Sequence, residues 1–268
     1  MQCLPDLPLP PAAAAQLIEY QAEIDRLVMF DQRVEAGKRL FRSRNQKSNA
    51  TFVAVRNVLT AMCSGARRCA YCEDSAADEV EHVYPKHFYP DRVFVWRNYV
   101  YACGPCNAPK GSQFAVFPAG PDSRVELAHT EHASSPPPVG VPGLIDPRVE
   151  DATRFLALEL RDTFYFVERA AAGTLDHERA KYTIKVLGLN EREILPAARR
   201  AAYLDYRAHL SQYLAVRTHG GDGAELTRLA SEIRTRQHPT VWSEMKRQHA
   251  DLPNLSRLFA AVPEALNW

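Results

Sequence analysis

The 268-residue sequence contains no run of 18 or more apolar residues, the length that marks a membrane-spanning helix. Its first stretch, MQCLPDLPLPPAAAAQ, lacks the basic start and apolar core of a secretory signal. The expectation is a soluble, cytoplasmic protein, and 46% apolar residues suffice for a sizeable core. No internal repeat is visible, which argues against solenoid and propeller architectures.

A second absence is local. Between Ala36 and Cys72 there is no acidic residue, whereas Lys38, Arg39, Arg42, Arg44, Lys47, Arg56, Arg67 and Arg68 all fall there. A net charge of +1 therefore hides an uneven distribution. Such a block is either a solvated helix face or an electrostatic footprint for a polyanion.

Cysteine is scarce too, with six in all, yet Cys69, Cys72, Cys103 and Cys106 form two C-x-x-C pairs and leave only Cys3 and Cys63 outside the pattern. Without a secretion signal, this arrangement favours metal thiolates over disulfides. Two such knuckles, CAYC and CGPC, can complete a tetrahedral zinc site. With all four positions taken, that zinc is structural and any catalysis must sit elsewhere. A non-catalytic zinc ribbon or RING-like binding module is the competing reading, and the residues between the knuckles decide.

Those residues are distinctive. C69-x-x-C72, E81-H82-x-x-P85-K86, W96-x-N98 and C103-x-x-C106-N107-x-x-K110 occur in that order. In this the sequence resembles HNH endonucleases with a ββα-metal (His-Me finger) core, in the subgroup stabilised by a four-cysteine zinc. The resemblance implies a β-hairpin followed by a helix, with His82 near the end of the first strand, Asn98 entering the second and Asn107 opening the helix. The third position of the family signature, usually histidine, is Asn107 here, and an amide oxygen still suits a hard cation.

Phosphodiester hydrolysis needs an activated water, charge stabilisation on the phosphoryl oxygens and donors that hold the backbone. His82 is the candidate general base. Glu81 and Asn107 offer oxygen ligands that suit Mg²⁺ or Mn²⁺. The resemblance assigns Asn98 to orienting His82 through a hydrogen bond, and Lys86 and Lys110 to phosphates; Arg67, Arg68 and Arg97 are further phosphate candidates. Glu73, Asp74, Asp78 and Glu79 are alternative metal ligands but need no special role as a solvated acidic loop, and His87, His129, His132 and His177 have no partners at ligand spacing in the sequence. One difficulty is geometric: neighbouring strand residues face opposite ways, so Glu81 and His82 need a bend to meet one phosphate.

The fold expected is α+β and mainly helical. Residues 1–68 form an N-terminal helical region, with one helix over 11–43 and another over 49–62 ended by Gly65. The nuclease core spans 69–117. Residues 118–148, with seven of the nineteen prolines, read as a linker or ordered loop. Residues 149–268 give a hairpin, FLALEL with FYFVER, then helices over 175–187, 191–217, 222–236 and 240–250. GLIDPRVED, this hairpin and TIKVLGLN followed by REILPAARRAAYLDYR resemble the HNH subunits of Septu-type anti-phage systems, the PtuB group. That likeness implies an SMC/ABC-like ATPase partner and DNA as substrate, with structured RNA as the alternative. Arginine interleaved with tyrosine over 199–217 suits either nucleic acid or a protein interface.

Overall fold

The computed structural model describes residues 1, 3–127 and 135–268. His129 and His132 lie outside the described residues. Helices α1 (Pro11–Asp25), α2 (Phe30–Arg44) and α3 (Ala50–Ala61) open the chain. The single helix expected over 11–43 is thus broken, and Val28, placed on its buried stripe, is 91% exposed. An unbroken helix of that length would run about 50 Å. The break instead lets α2 turn Val34, Gly37 and Phe41 inward, while α1 buries Leu17, Tyr20 and Ile24. Asn49 caps α3 by accepting the Phe52 N–H at 3.2 Å.

Strands β1 (Glu79–His82) and β2 (Tyr99–Ala102) pair antiparallel, from Glu79 opposite Ala102 to His82 opposite Tyr99. The second strand starts later than its hydrophobic pattern predicts, because Trp96–Asn98 form a 3-10 turn. Helix α4 (Gly104–Lys110) follows. The proline-rich stretch, expected to be a linker or loop, adds β4 (Val125–Leu127) and β5 (Val141–Pro142) to either side of β3 (Phe114–Phe117) and buries Leu144 and Ile145. Pro142 is tolerated because β5 is an edge strand. The expected hairpin is β6 (Leu156–Leu158) with β7 (Phe166–Glu168). Helices α5 (Leu175–Val186), α6 (Ile194–Thr218), α7 (Gly223–Arg234), α8 (Pro239–Gln248) and α9 (Pro253–Ala261) complete a mainly helical α+β fold.

Two cores meet at the β1–β2 hairpin. Val80, Tyr99 and Tyr101 pack with Phe41, Phe52 and Phe94 on the side of the N-terminal helices. Val83, Val100 and Ala102 belong to the larger core, with the knuckle cysteines and the C-terminal helices. Past α3 the chain turns at Gly65, whose φ is +67° and where a Cβ would lie 2.0 Å from the Thr235 carbonyl at the end of α7. Both the left-handed backbone and the close approach demand glycine. Gly65→Ala should therefore lower the unfolding free energy by more than about 2 kcal/mol, read from the urea midpoint; an unchanged midpoint would show that this docking contributes nothing.

Candidate active site and metal centre

The sulfur atoms of Cys69, Cys72, Cys103 and Cys106 all lie within 4.8 Å of one another and are buried. Tetrahedral Zn–S bonds of about 2.3 Å require sulfurs about 3.8 Å apart, and Cys72 Sγ stands 3.8 Å from Cys103 Sγ. The donor set fits a metal such as zinc. Arg192 donates to Cys106 Sγ at 3.0 Å, so a cation from the C-terminal half meets the charge of the thiolates. No motif points to Arg192, which lies 86 residues from its partner.

The alternation of β1 sorts the acidic and basic candidates. Glu79 and Glu81 face α4, whose Asn107 and Lys110 lie on one helical face. Asn107 Nδ2 donates to Glu79 Oε2 at 2.5 Å, and Lys110 Nζ donates to Glu81 Oε1 at 2.5 Å and to the His82 carbonyl at 2.9 Å. Lys110 is wholly buried, so the expected phosphate contact is corrected: it neutralises Glu81 and ties α4 to the strand end. Asn107, expected to open the helix beside Glu81, sits mid-helix and holds Glu79 instead. Because a carboxylate only accepts, the Asn107 amide is fixed with Nδ2 toward Glu79, which leaves Oδ1 as its uncommitted oxygen. Among the described residues Asn107 is thus bonded to Glu79 and Glu81 to Lys110, and no contact joins Asn107 to Glu81. Glu79 is the residue that the reading of an acidic loop missed; its i, i+2 relation to Glu81 was the available signal.

His82 faces the opposite way, into the N-terminal aromatic core. Its ring centroid lies 4.4 Å from that of Phe41 and 5.2 Å from that of Tyr99. Nε2 is 2.9 Å from the Val93 carbonyl, so it must carry the proton and donate, while the buried Nδ1 has no hydrogen-bond partner among the described residues. Burial, with the charges of Lys86 and Lys110, holds the His82 pKa well below the ordinary imidazole value. The ring is therefore neutral near pH 7, with Nδ1 as its acceptor.

Asn98 orients this arrangement at one remove, not through the expected bond to the His82 ring. Its Oδ1 accepts the Tyr84 N–H at 2.7 Å, and its Nδ2 donates to the Tyr84 and Arg92 carbonyls at 3.0 and 2.9 Å. From α1, Gln21 donates to the Pro90 carbonyl and accepts the Phe94 N–H, both at 2.9 Å. Together they fix the loop that presents Val93 to His82. Nothing in the motif includes Gln21.

Glu81 and His82 nevertheless reach one cleft of about 590 Å³, whose wall also includes Lys38, Phe41, Arg42, Lys86 and His87. The strand is not bulged there, since Glu81 and His82 keep regular partners in Val100 and Tyr99. The strand ends at His82 and the chain bends at Val83 and Tyr84, just before Pro85, so both residues line the cleft at the strand end. His87, set aside in the sequence, is a buried part of that wall. Arg67, Arg68 and Arg97 are elsewhere: Arg67 stacks on Tyr101, Arg68 binds the Asp74 carbonyl and Gln237, and Arg97 pairs with Asp6.

No family model matches the chain. A 50-residue stretch is 44% identical to the Septu protein PtuB of Bacillus thuringiensis, covering 17% of this chain and 20% of that protein. The match thus spans about a fifth of the relative's length, and makes the chain a partial homologue of a Septu protein.

The division between the cysteine cluster and the cleft gives a direct test. Structural zinc contributes about 10–16 kcal/mol of binding energy to folding. Cys106→Ser should lose bound zinc by atomic emission and lower the thermal midpoint, whereas Asn107→Ala should keep both near wild type. Equal metal content and midpoint in the two variants would contradict the division.

Proposed function

We propose that the protein is a metal-dependent endonuclease that hydrolyses phosphodiester bonds of DNA. The observation that carries this reading is the neutral, buried His82, with its unpartnered Nδ1, beside Glu81 in a cleft walled by cations. A zinc-binding module without chemistry needs none of these. Zinc on the four cysteines would be structural, since four thiolates leave no open position.

In the proposed reaction Nδ1 of His82 takes a proton from the attacking water. Donation from Nε2 to Val93 keeps the tautomer that makes Nδ1 basic, and the resulting imidazolium would be stabilised by the same carbonyl. Lys86, half-buried with its Nζ 5.3 Å above the Phe41 ring, is placed to meet a phosphate oxygen. Mg²⁺ or Mn²⁺ held through Glu81 and Asn107 would supply charge stabilisation on the phosphoryl oxygens. Lys110 bonds Glu81 and holds it in place, and is a positioning residue.

The partial likeness to PtuB supports a role as the nuclease of an anti-phage defence system. By the resemblance of the wider layout, the protein would work with an SMC/ABC-like ATPase that recruits it to DNA. A net charge of +1 supports assisted recruitment over strong unaided affinity.

Purified protein, with and without such an ATPase, should cut plasmid DNA in Mg²⁺ and not in EDTA, and His82→Ala should reduce the rate at least about 100-fold. Transfer RNA in parallel identifies an RNA substrate. Cleavage that survives both EDTA and His82→Ala would sink the reading. Because the folded His82 pKa is depressed, the base stays neutral as pH falls through 6.5. The acid limb of kcat/KM should accordingly lie below pH 6.5; a limb centred at or above that value would exclude His82 as the base.

A further inference from the structure

The cleft has a wall that does not come from the segment between the cysteine knuckles. Along α2, Gly37, Lys38, Phe41 and Arg42 fall on one side of the helix, at i, i+1, i+4 and i+5. Two of them shape the His82 environment. A Cβ on Gly37 would lie 2.9 Å from Val93 Cγ2, so only glycine lets α2 close on the residue whose carbonyl binds His82. The Phe41 ring packs edge-on against the imidazole. The other two, Lys38 and Arg42, open onto the cleft itself.

Charge in that cleft is one-sided. Lys38, Arg42 and Lys86 converge on it, and Glu81, its carboxylate, is already bonded to the buried Lys110. Lys38 bonds Glu35 at 2.9 Å on the exposed side, a pair that solvent weakens. Arg42 is exposed; its carbonyl accepts from Gln46, and its guanidinium makes no hydrogen bond or ion pair among the described residues. Like charges gathered in excess of the nearby acids favour binding of an anion there. Asn45 and Gln46, just beyond Arg42, extend the same wall with neutral polar groups.

We propose that α2 is a phosphate clamp: Lys38 and Arg42 grip the sugar–phosphate backbone of the substrate nucleic acid in the cleft that His82 and Glu81 line. This rests on the nuclease reading for its chemistry, while the clamp itself is a binding site that can be tested without cleavage.

The test uses the full chain carrying His82→Ala, bound to a fluorescein-labelled DNA duplex and followed by anisotropy across a salt series. Each phosphate contact contributes about 0.9 to the slope of log affinity against log salt. Lys38→Gln with Arg42→Gln should reduce that slope by about 1.8, while Lys38→Arg with Arg42→Lys should retain it. Arg39→Gln, an exposed cation outside the cleft wall, serves as the control and should leave the slope unchanged. In the chain with His82 intact, the double glutamine variant should raise KM about tenfold or more with kcat within about twofold. An unchanged slope, an equal drop with Arg39→Gln, or no binding by any variant overturns the clamp. Wild-type protein that fails to cleave even with the ATPase present, while the slope still falls as stated, defeats the nuclease reading and leaves the clamp standing.

Discussion

The site depends on a hairpin of two four-residue strands buried on both faces. An isolated two-stranded hairpin is marginal in water, so this one exists only because a separate core covers each side. Alternation along β1 then has chemical consequences. Val80 and His82 are committed to the aromatic core, and Glu79 and Glu81 to the polar seam with α4. The acid and the base are thus held by different parts of the protein and meet only where the strand ends.

Burial sets the electrostatics of each half in a different way. On the aromatic side the imidazole is kept neutral and its desolvation is offset by one hydrogen bond, while the buried Nδ1 has no partner among the described residues. On the α4 side Glu81 and Lys110 are both buried and remain tolerable because they face each other, with the Lys110 ammonium also bonded to the His82 carbonyl. Breaking such a pair would strand the other charge, at a cost of about 3–5 kcal/mol. Lys110 is for this reason a structural requirement of the carboxylate's position, not a free hand for substrate.

The four cysteines were legible in the sequence because their chemistry is set by local spacing, whereas His82, Asn98 and Asn107 were singled out only as candidates, by residue type and order. Their partners were not legible. Asn98 and Gln21 act on the same loop from 77 residues apart, and Arg192 meets Cys106 only after the C-terminal half has folded. The basic block was visible, but which cations face the cleft depends on the phase of α2. That phase follows from the break after α1, where no glycine or proline marks a stop. The arginine and tyrosine pattern of α6 was ambiguous for a related reason: Arg199, Tyr206 and Tyr213 are core residues, with Arg199 bonded to the Phe164 and Leu189 carbonyls, and only Arg200, Tyr203 and Arg207 line a surface groove.

The C-terminal helices are therefore packed into the same core as the cysteine cluster. Glu73, in the first knuckle, accepts from the Thr240 hydroxyl at 2.6 Å and its N–H at 3.1 Å, and Gly65 docks on Thr235. Arg148 reaches back to the Tyr99 carbonyl at 2.8 Å while stacking on Trp96, so the segment before β6 anchors the second strand as well. Every element that positions His82 or Glu81 is in turn held by a residue distant in sequence. A site assembled this way gains rigidity from the whole chain, and a shift in either the N-terminal helices or the C-terminal bundle would be felt at the one point where the two faces of β1 meet the cleft.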